Sequence, residues 1–248
     1  MSQSFEVQEL LIAIALRQQN PSILTADFLK YTGIVPSDWE LARPPVLTNT
    51  AAQVVYQNGV SIVAEVNRVI FAEALANKEP SDVQIPSIAH KYIQIVKQVN
   101  YQGVGINLRG FAPYDKKDIN GRNYTVSTLL QSGVWQDFGS APVEASVRLV
   151  YTLDETQLYL DINEAQLKYP DQTIKPAVLF SANFSRTLNQ QDPNTRLAAI
   201  GEVIDKWHHD VQTLKELVNR KFLNNNDENY PINIGTTDLL QFPNAVAE

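Results

Sequence analysis

The sequence predicts an α+β protein made of two β-α-β-β-β-α halves, mainly antiparallel sheet packed with helices and related by a pseudo-twofold axis. Short apolar runs with alternating polarity, set apart by turn residues, have the period of half-buried strands. Each group of strands is followed by a segment of helical period. The phrase "FLKYTGIVPSDWELARPPV", Phe28 to Val46, returns in thinned form as "TLLQSGVWQDFGSAPV", Thr128 to Val143. Both copies lie between a short helix and a meander, which points to an internal duplication.

The elements follow in order. Phe5 to Leu16 is rich in Val, Ile and Leu with partial alternation and reads as a strand. Thr25 can cap a short helix through "ADFLKY", which Gly33 can close in the left-handed conformation and Pro36 prevents from resuming. Ala51 to Leu75 reads as a three-stranded meander. Its first turn is at Asn58-Gly59, a dipeptide suited to two positive φ values, and its second at Asn67-Arg68. Ile85 to Val99 places Ile85, Ile88, Ala89, Tyr92, Ile95 and Val96 at helical spacing, with Pro86 tolerated in the first turn.

The second half repeats this order. Tyr101 to Phe111 is a strand, "DINGRN" a loop, and Tyr124 to Gln131 a short helix. The runs "VEASVRLVYTL", "QLYLDINEAQL" and "PAVLFSANFSRTL" form the second meander. Asn194 is expected to cap one long helix to about Phe222, with Ile200, Ile204, Trp207, Val211, Leu214, Val218 and Phe222 in one apolar stripe. The expected organisation is therefore residues 1–99, residues 100–223 and a C-terminal tail, 224–248, in which "DLLQFP" could dock on the chain itself or on a partner. Thr25 matches Thr125, Leu29 matches Leu129, Gly33 matches Gly133, and Asp38-Trp39 matches Asp137-Phe138. Trp39 and Phe138 are expected as equivalent apolar wedges, each half covering the greasy sheet face of the other.

Composition narrows the function. At 248 residues with 44% hydrophobic and 19% charged residues, the chain can bury a full core without metal or disulfide. Cysteine is absent, which removes thiol nucleophiles, thiolate metal sites and iron–sulfur clusters. A net charge of −7 argues against nucleic acid as a partner. The N-terminal residues lack a basic region before an apolar run, and "LLIAIAL" is too short to cross a bilayer, so no membrane association and a cytoplasmic location are expected.

The candidate chemical constellations are sparse. "DKWHHD", Asp205 to Asp210, puts Asp205 and His209 four apart on one helix face, but a metal needs a ligand from another element and only His90 remains. No metal or cofactor is expected. Asp205 and His209 should pair in solvent, with His208 bordering the core. "GVGINLRG" has its glycines inside a strand, so it lacks the strand-then-helix setting of a phosphate loop. Gly103 and Gly105 share one strand face, and with Arg109 they mark the best candidate ligand-binding groove. Glu65, Glu73, Asp161 and Glu164 lie on meander strands, with Glu65 expected on a solvated sheet surface. No Ser sits in a G-x-S-x-G turn, and no HExxH, DxDxDG or GxxxxGK[ST] string occurs.

With "ILTADFLKYTGIVPSDWELARPPV" and "NYQGVGINLRGF" in view, the chain resembles a family of conserved cyanobacterial proteins of unassigned activity, and loosely a sporadic bacterial family of similar length. The resemblance implies a cytoplasmic bacterial protein and carries no site residues. The residues themselves point to a non-catalytic role in protein–protein binding or assembly, with a protein partner or a homo-oligomer. The alternative is a small-molecule binder or enzyme using a groove between the halves near Gly103, Gly105 and Arg109.

Overall fold

A computed structural model describes residues 5–75, 78–114, 123–154, 156–169 and 171–223. The tail 224–248 and most of the "DINGRN" loop lie outside the described residues. Nine antiparallel strands form one continuous sheet: β1 (Glu6–Arg17), β2 (Val46–Leu47), β3 (Ala51–Val55), β4 (Ser61–Glu65), β5 (Arg68–Ala74), β6 (Asn100–Pro113), β7 (Val147–Thr152), β8 (Gln157–Lys168) and β9 (Ile174–Thr187). Their order is β2-β3-β4-β5-β1-β6-β9-β8-β7. In each half the last strand of the meander returns beside the first strand, and the two first strands, β1 and β6, pair at the centre.

That central pair explains why the halves form one body. Alternation turns Leu10, Ile12 and Ile14 of β1 and Val104, Ile106 and Leu108 of β6 to one side, where all are buried. The same phase in the neighbours buries Phe71, Ile62, Phe180, Phe184 and Leu160, so a single core runs under the whole sheet. Helices α1 (Ala26–Tyr31), α2 (Ile85–Ile95), α3 (Pro193–Asp205) and α4 (Trp207–Leu217) cover this face through Leu29, Ile88, Tyr92, Ile200, Ile204, Trp207 and Leu214. The halves thus join edge to edge, and the expected mutual shielding of sheet faces does not occur. Among the described residues no helix packs on the other face.

The β1–β6 register carries two bulges. Gln8 is the extra residue between Val7 and Glu9, and Gln102 the extra residue between Gly103 and Tyr101. Each lies four residues before its member of the Ile12–Ile106 pair. Each bulge carbonyl accepts the N–H of a leucine just past the adjoining strand: Leu75 N donates to Gln8 O at 2.8 Å and Leu188 N to Gln102 O at 3.2 Å. Gly110 is required nearby, since a Cβ there would lie 2.2 Å from Glu6 O and 2.6 Å from the Phe5 ring.

Several local expectations change. In the β3–β4 hairpin only Gly59 has positive φ, at 86°. Gly59 N donates to Tyr56 O, Tyr56 N to Val60 O, and Asn58 Oδ1 accepts from Val60 N. One left-handed residue after an ordinary turn suffices for this three-residue loop, so Asn58 need not leave the common region. Glu65 pairs with Arg68, which puts the next turn at Val66 and Asn67. α2 stops at Ile95, where Val96 at ψ 44° ends the helix and accepts the Tyr101 hydroxyl on its carbonyl at 2.7 Å. The second short helix is a single wide turn, Thr125–Leu129. The last helix is capped by Asp192, whose carboxylate accepts from Thr195 N at 2.9 Å, because Pro193 occupies the first helical position. It breaks at Lys206 into α3 and α4 and ends in a wide turn, Val218–Phe222.

Candidate functional site

The uncovered face is laid out by strand register. Gly103, Gly105 and Arg109 all lie on it, along β6 at the middle of the sheet. Gly105 sits between Ala13 and Ser185, and Gly103 between Ala15 and Thr187. Above Gly105 a Cβ would meet the amide ends of Asn107 and Asn183 at 3.4–3.6 Å, an ordinary contact. At Gly103 a Cβ would lie 3.1 Å from Arg186 O, so the missing side chain lets the backbone of β9 approach closely. Arg109 Nη1 bonds Glu9 Oε2 at 3.4 Å. Burial raises the Glu9 pKa, opposed by the Arg109 charge and hydrogen bond. Further along the row, Asp161 takes two bonds from Arg148, at 2.6 and 3.0 Å. Glu65 takes two from Arg68, at 2.7 and 3.0 Å, so it lies on this face as expected, but paired. Three ion pairs, Glu9–Arg109, Arg148–Asp161 and Glu65–Arg68, lie across the face, with Leu11, Val63 and Ile70 among small residues on the first-half side and Asn107, Asn183 and Tyr159 on the other.

Three further carboxylates, Glu73, Glu164 and Asp210, hold elements together. Glu73 has the same phase as Val69 and Phe71 and is buried; it accepts from Gln84 N at 2.7 Å, Ile85 N at 2.9 Å and Lys78 Nζ at 2.6 Å, tying the start of α2 to β5. Glu164 accepts from Thr125 N and Oγ1, both at 2.8 Å, and from the Tyr114 hydroxyl at 2.7 Å, beside a cavity of about 470 Å³. Burial, then the bond to Glu164, raises the Tyr114 pKa. Asp210 forms a buried two-pronged pair with Arg186, at 2.7 and 2.8 Å, fixing α4 to β9 at the floor of a cavity of about 610 Å³. The sequence signal for Glu73 and Arg186 was their place in the apolar phase of a strand, where a charge needs a buried partner.

The histidine cluster disperses. Asp205 Oδ1 lies 2.9 Å from His90 Nε2 on α2, across the α2–α3 contact. The expected Asp205–His209 pair is lost because the break at Lys206 reorients the two residues. His208 is exposed and lies on the Trp207 ring, 3.5 Å between centroids, and burial still lowers its pKa. Among the described residues no group of three or more His, Cys, Asp or Glu could hold a metal ion. Among the described residues no helix is long and apolar enough to cross a membrane.

The two outer strands of the sheet differ sharply. β2 has two residues and follows Pro44-Pro45, and beyond it the loop closes on β3: Ala42 N donates to Val55 O at 2.9 Å and Gln57 N to Glu40 O at 3.0 Å. β7 has six residues, "VRLVYT", with no proline, glycine or lysine and an unbroken register to β8. Among the described residues no strand pairs with its far side. The segment leading into it exposes Val134, Trp135 and Phe138. Phe138, at 87% exposed, is no counterpart to Trp39, which packs edge-on to Tyr56 at 5.2 Å.

No protein-family model matches this chain. No curated protein matches it either.

Proposed function

We propose that the protein is a non-catalytic binding or assembly protein that takes up an extended polypeptide along β7. The observation that carries this reading is the contrast between the two margins of the sheet. Natural sheets blunt their edges with short strands, proline, lysine or bulges, because unpaired N–H and C=O groups recruit another strand. The β2 margin is two residues long behind two prolines, whereas β7 has six residues without proline or bulge, and its one charged residue, Arg148, is held by Asp161 on the inner neighbour. The exposed Val134, Trp135 and Phe138 add apolar surface next to it in the chain. Glu9, Glu65, Glu73, Asp161, Glu164 and Asp210, each held by an ion pair or by hydrogen bonds, support a structural rather than a catalytic use of these carboxylates.

The same proposal includes an internal duplication with a pseudo-twofold axis near Ile12 and Ile106. The shared strand order, the paired bulges at Gln8 and Gln102, and their matching bonds from Leu75 and Leu188 support it. On this reading, one ancestral edge acquired a cover and the other kept its pairing groups. A cytoplasmic setting fits the absence of cysteine.

Site-specific photo-crosslinking tests the edge. A photoreactive residue replacing Val150 should form an adduct whose partner peptide maps to one extended segment, and Thr152→Pro should abolish it by removing an outward N–H. The same probe at Leu47 should give none. Equal adducts at both margins, or none at Val150, would overturn the reading.

A further inference from the structure

Resting on that reading, we infer that the occupant of the β7 edge is a second copy of this chain, paired antiparallel through β7 about a twofold axis at Val150. The phase of the strand sets which groups are offered. Leu153 N donates to Thr156 O at 2.9 Å. Hydrogen-bonded and non-bonded pairs alternate along an antiparallel ladder, so Tyr151, Leu149 and Val147 also exchange their bonds with β8. The N–H and C=O groups of Arg148, Val150 and Thr152 point away from the sheet.

A register that places Val150 opposite Val150 puts Arg148 opposite Thr152 on both sides of the axis. Every outward residue then faces an outward residue, and each such pair exchanges two hydrogen bonds. The side chains agree. Val150, 54% exposed, gains a β-branched cross-strand neighbour on the uncovered face. Leu149 faces Tyr151 on the helix side. Arg148 keeps its two bonds to Asp161, so no like charges stand opposite one another. A chain of net charge −7 repels its copies overall, yet the one charge on β7 itself, Arg148, is already neutralised by Asp161.

The other margin sets the stoichiometry. With β2 reduced to two residues behind Pro44-Pro45, only one edge can recruit a strand. The contact is isologous and closes at two copies, giving a single sheet of two nine-stranded halves with all helices on one side. Two open edges would instead give an extending fibre.

The absence of cysteine makes the test direct. Val150→Cys in the full chain brings two thiols together at the axis, where paired Cα atoms about 5.5 Å apart suit a disulfide. Mild oxidation should convert most of the protein to a covalent dimer, while Leu47→Cys on the opposite margin gives only collisional background. Sedimentation velocity should show a wild-type dimer. Val150→Lys, which sets like charges across the axis and leaves the β7–β8 bonds intact, should be monomeric with an unchanged circular dichroism spectrum. A wild type that stays monomeric at every concentration, or equal linking at both margins, overturns self-pairing. If the wild type is monomeric while the photoreactive probe at Val150 still maps to another polypeptide, self-pairing fails and the edge reading stands. If neither occurs, both fail.

Discussion

The loops that enter the two meanders hold the same place in chain order and meet opposite fates. The first runs along β3, where its backbone pairs with Val55 and Gln57 and Trp39 lies edge-on to Tyr56. The second leaves Val134 91% and Phe138 87% exposed and ends at a strand whose far side has no partner among the described residues. The strand that receives the loop accounts for the difference. β3 runs on into Tyr56, a buried ring for Trp39 to meet, whereas β7 runs on into Thr152 and the partly exposed Leu153. An aromatic residue is buried only where a neighbour completes its contact surface, so a shared strand order does not ensure a shared margin.

The halves also stitch helix to sheet by different chemistry, and this gives the largest expected effect. In the first half Glu73 meets backbone amides at the start of α2 and a half-buried Lys78. In the second, Arg186 and Asp210 pair in the interior through two hydrogen bonds, with Arg186 Nε left unpaired. Arg186→Ala leaves the Asp210 carboxylate buried without its partner and should cost about 3–5 kcal/mol in urea unfolding. Arg186→Met combined with Asp210→Leu should recover most of that loss, because an apolar pair of similar volume has no charge to desolvate. Glu73→Gln retains an acceptor for the amides and should cost about 1–2 kcal/mol. If Glu73→Gln proves as costly as Arg186→Ala, the two attachments are energetically alike.

Alkali sharpens the comparison from the side of the first half. Burial pushes the Tyr92 pKa up to about 12, and its hydroxyl donates to Gln19 Oε1 at 3.0 Å. The folded value lies above the unfolded value near 10, so the unfolded chain loses this proton first as pH rises. The stabilisation is complete below about pH 10 and is lost between about pH 10 and 12, a change of about 2–3 kcal/mol from a shift of about two units. Tyr92→Phe should therefore flatten the fall in stability across that window, measured by urea unfolding at stepped pH. An unchanged slope would show that other tyrosines carry the alkaline transition, with Tyr114 in the second half, raised by burial and by its bond to Glu164, the first to examine.

Much of this architecture is legible in local sequence. Alternation located all the long strands, and Thr25 and Gly33 bounded α1 as expected, with Gly33 at φ 71°. The pairing of β1 with β6 was hidden, because partners so far apart in the chain leave no mark on either strand. The break at Lys206 was hidden for another reason. Ile200, Ile204, Trp207, Val211, Leu214 and Val218 keep helical spacing straight through it, and a kink that preserves the stripe preserves the pattern. The glycines of "GVGINLRG" lie inside a strand as expected, and what stands over Gly105, the amide ends of Asn107 and Asn183, comes from its own strand and from β9 and so depends on register. The edge strand "VRLVYT" is visible as a strand, while its position at a margin is a property of the assembled sheet.

The smallest expected effect bears on the loops themselves. Trp39→Ala removes a ring packed on Tyr56 and on the margin of the core, and should destabilise the protein by about 2–3 kcal/mol, below the range for a fully buried tryptophan because Trp39 is only partly buried. Phe138→Ser changes a side chain with almost no contact surface, so its effect on stability in the monomer should fall within about 0.5 kcal/mol. The paired measurement is informative because the two positions lie in loops that each lead into a meander. Equal losses would mean that Phe138 is buried in the native state in solution. That burial would have to come from a partner, and Phe138→Ser would then become costly only at concentrations where the second copy is bound. Measuring both variants at two protein concentrations separates these cases: a difference confined to the high concentration assigns Phe138 to the interface beside β7, and none at either concentration leaves the interface to the strand alone.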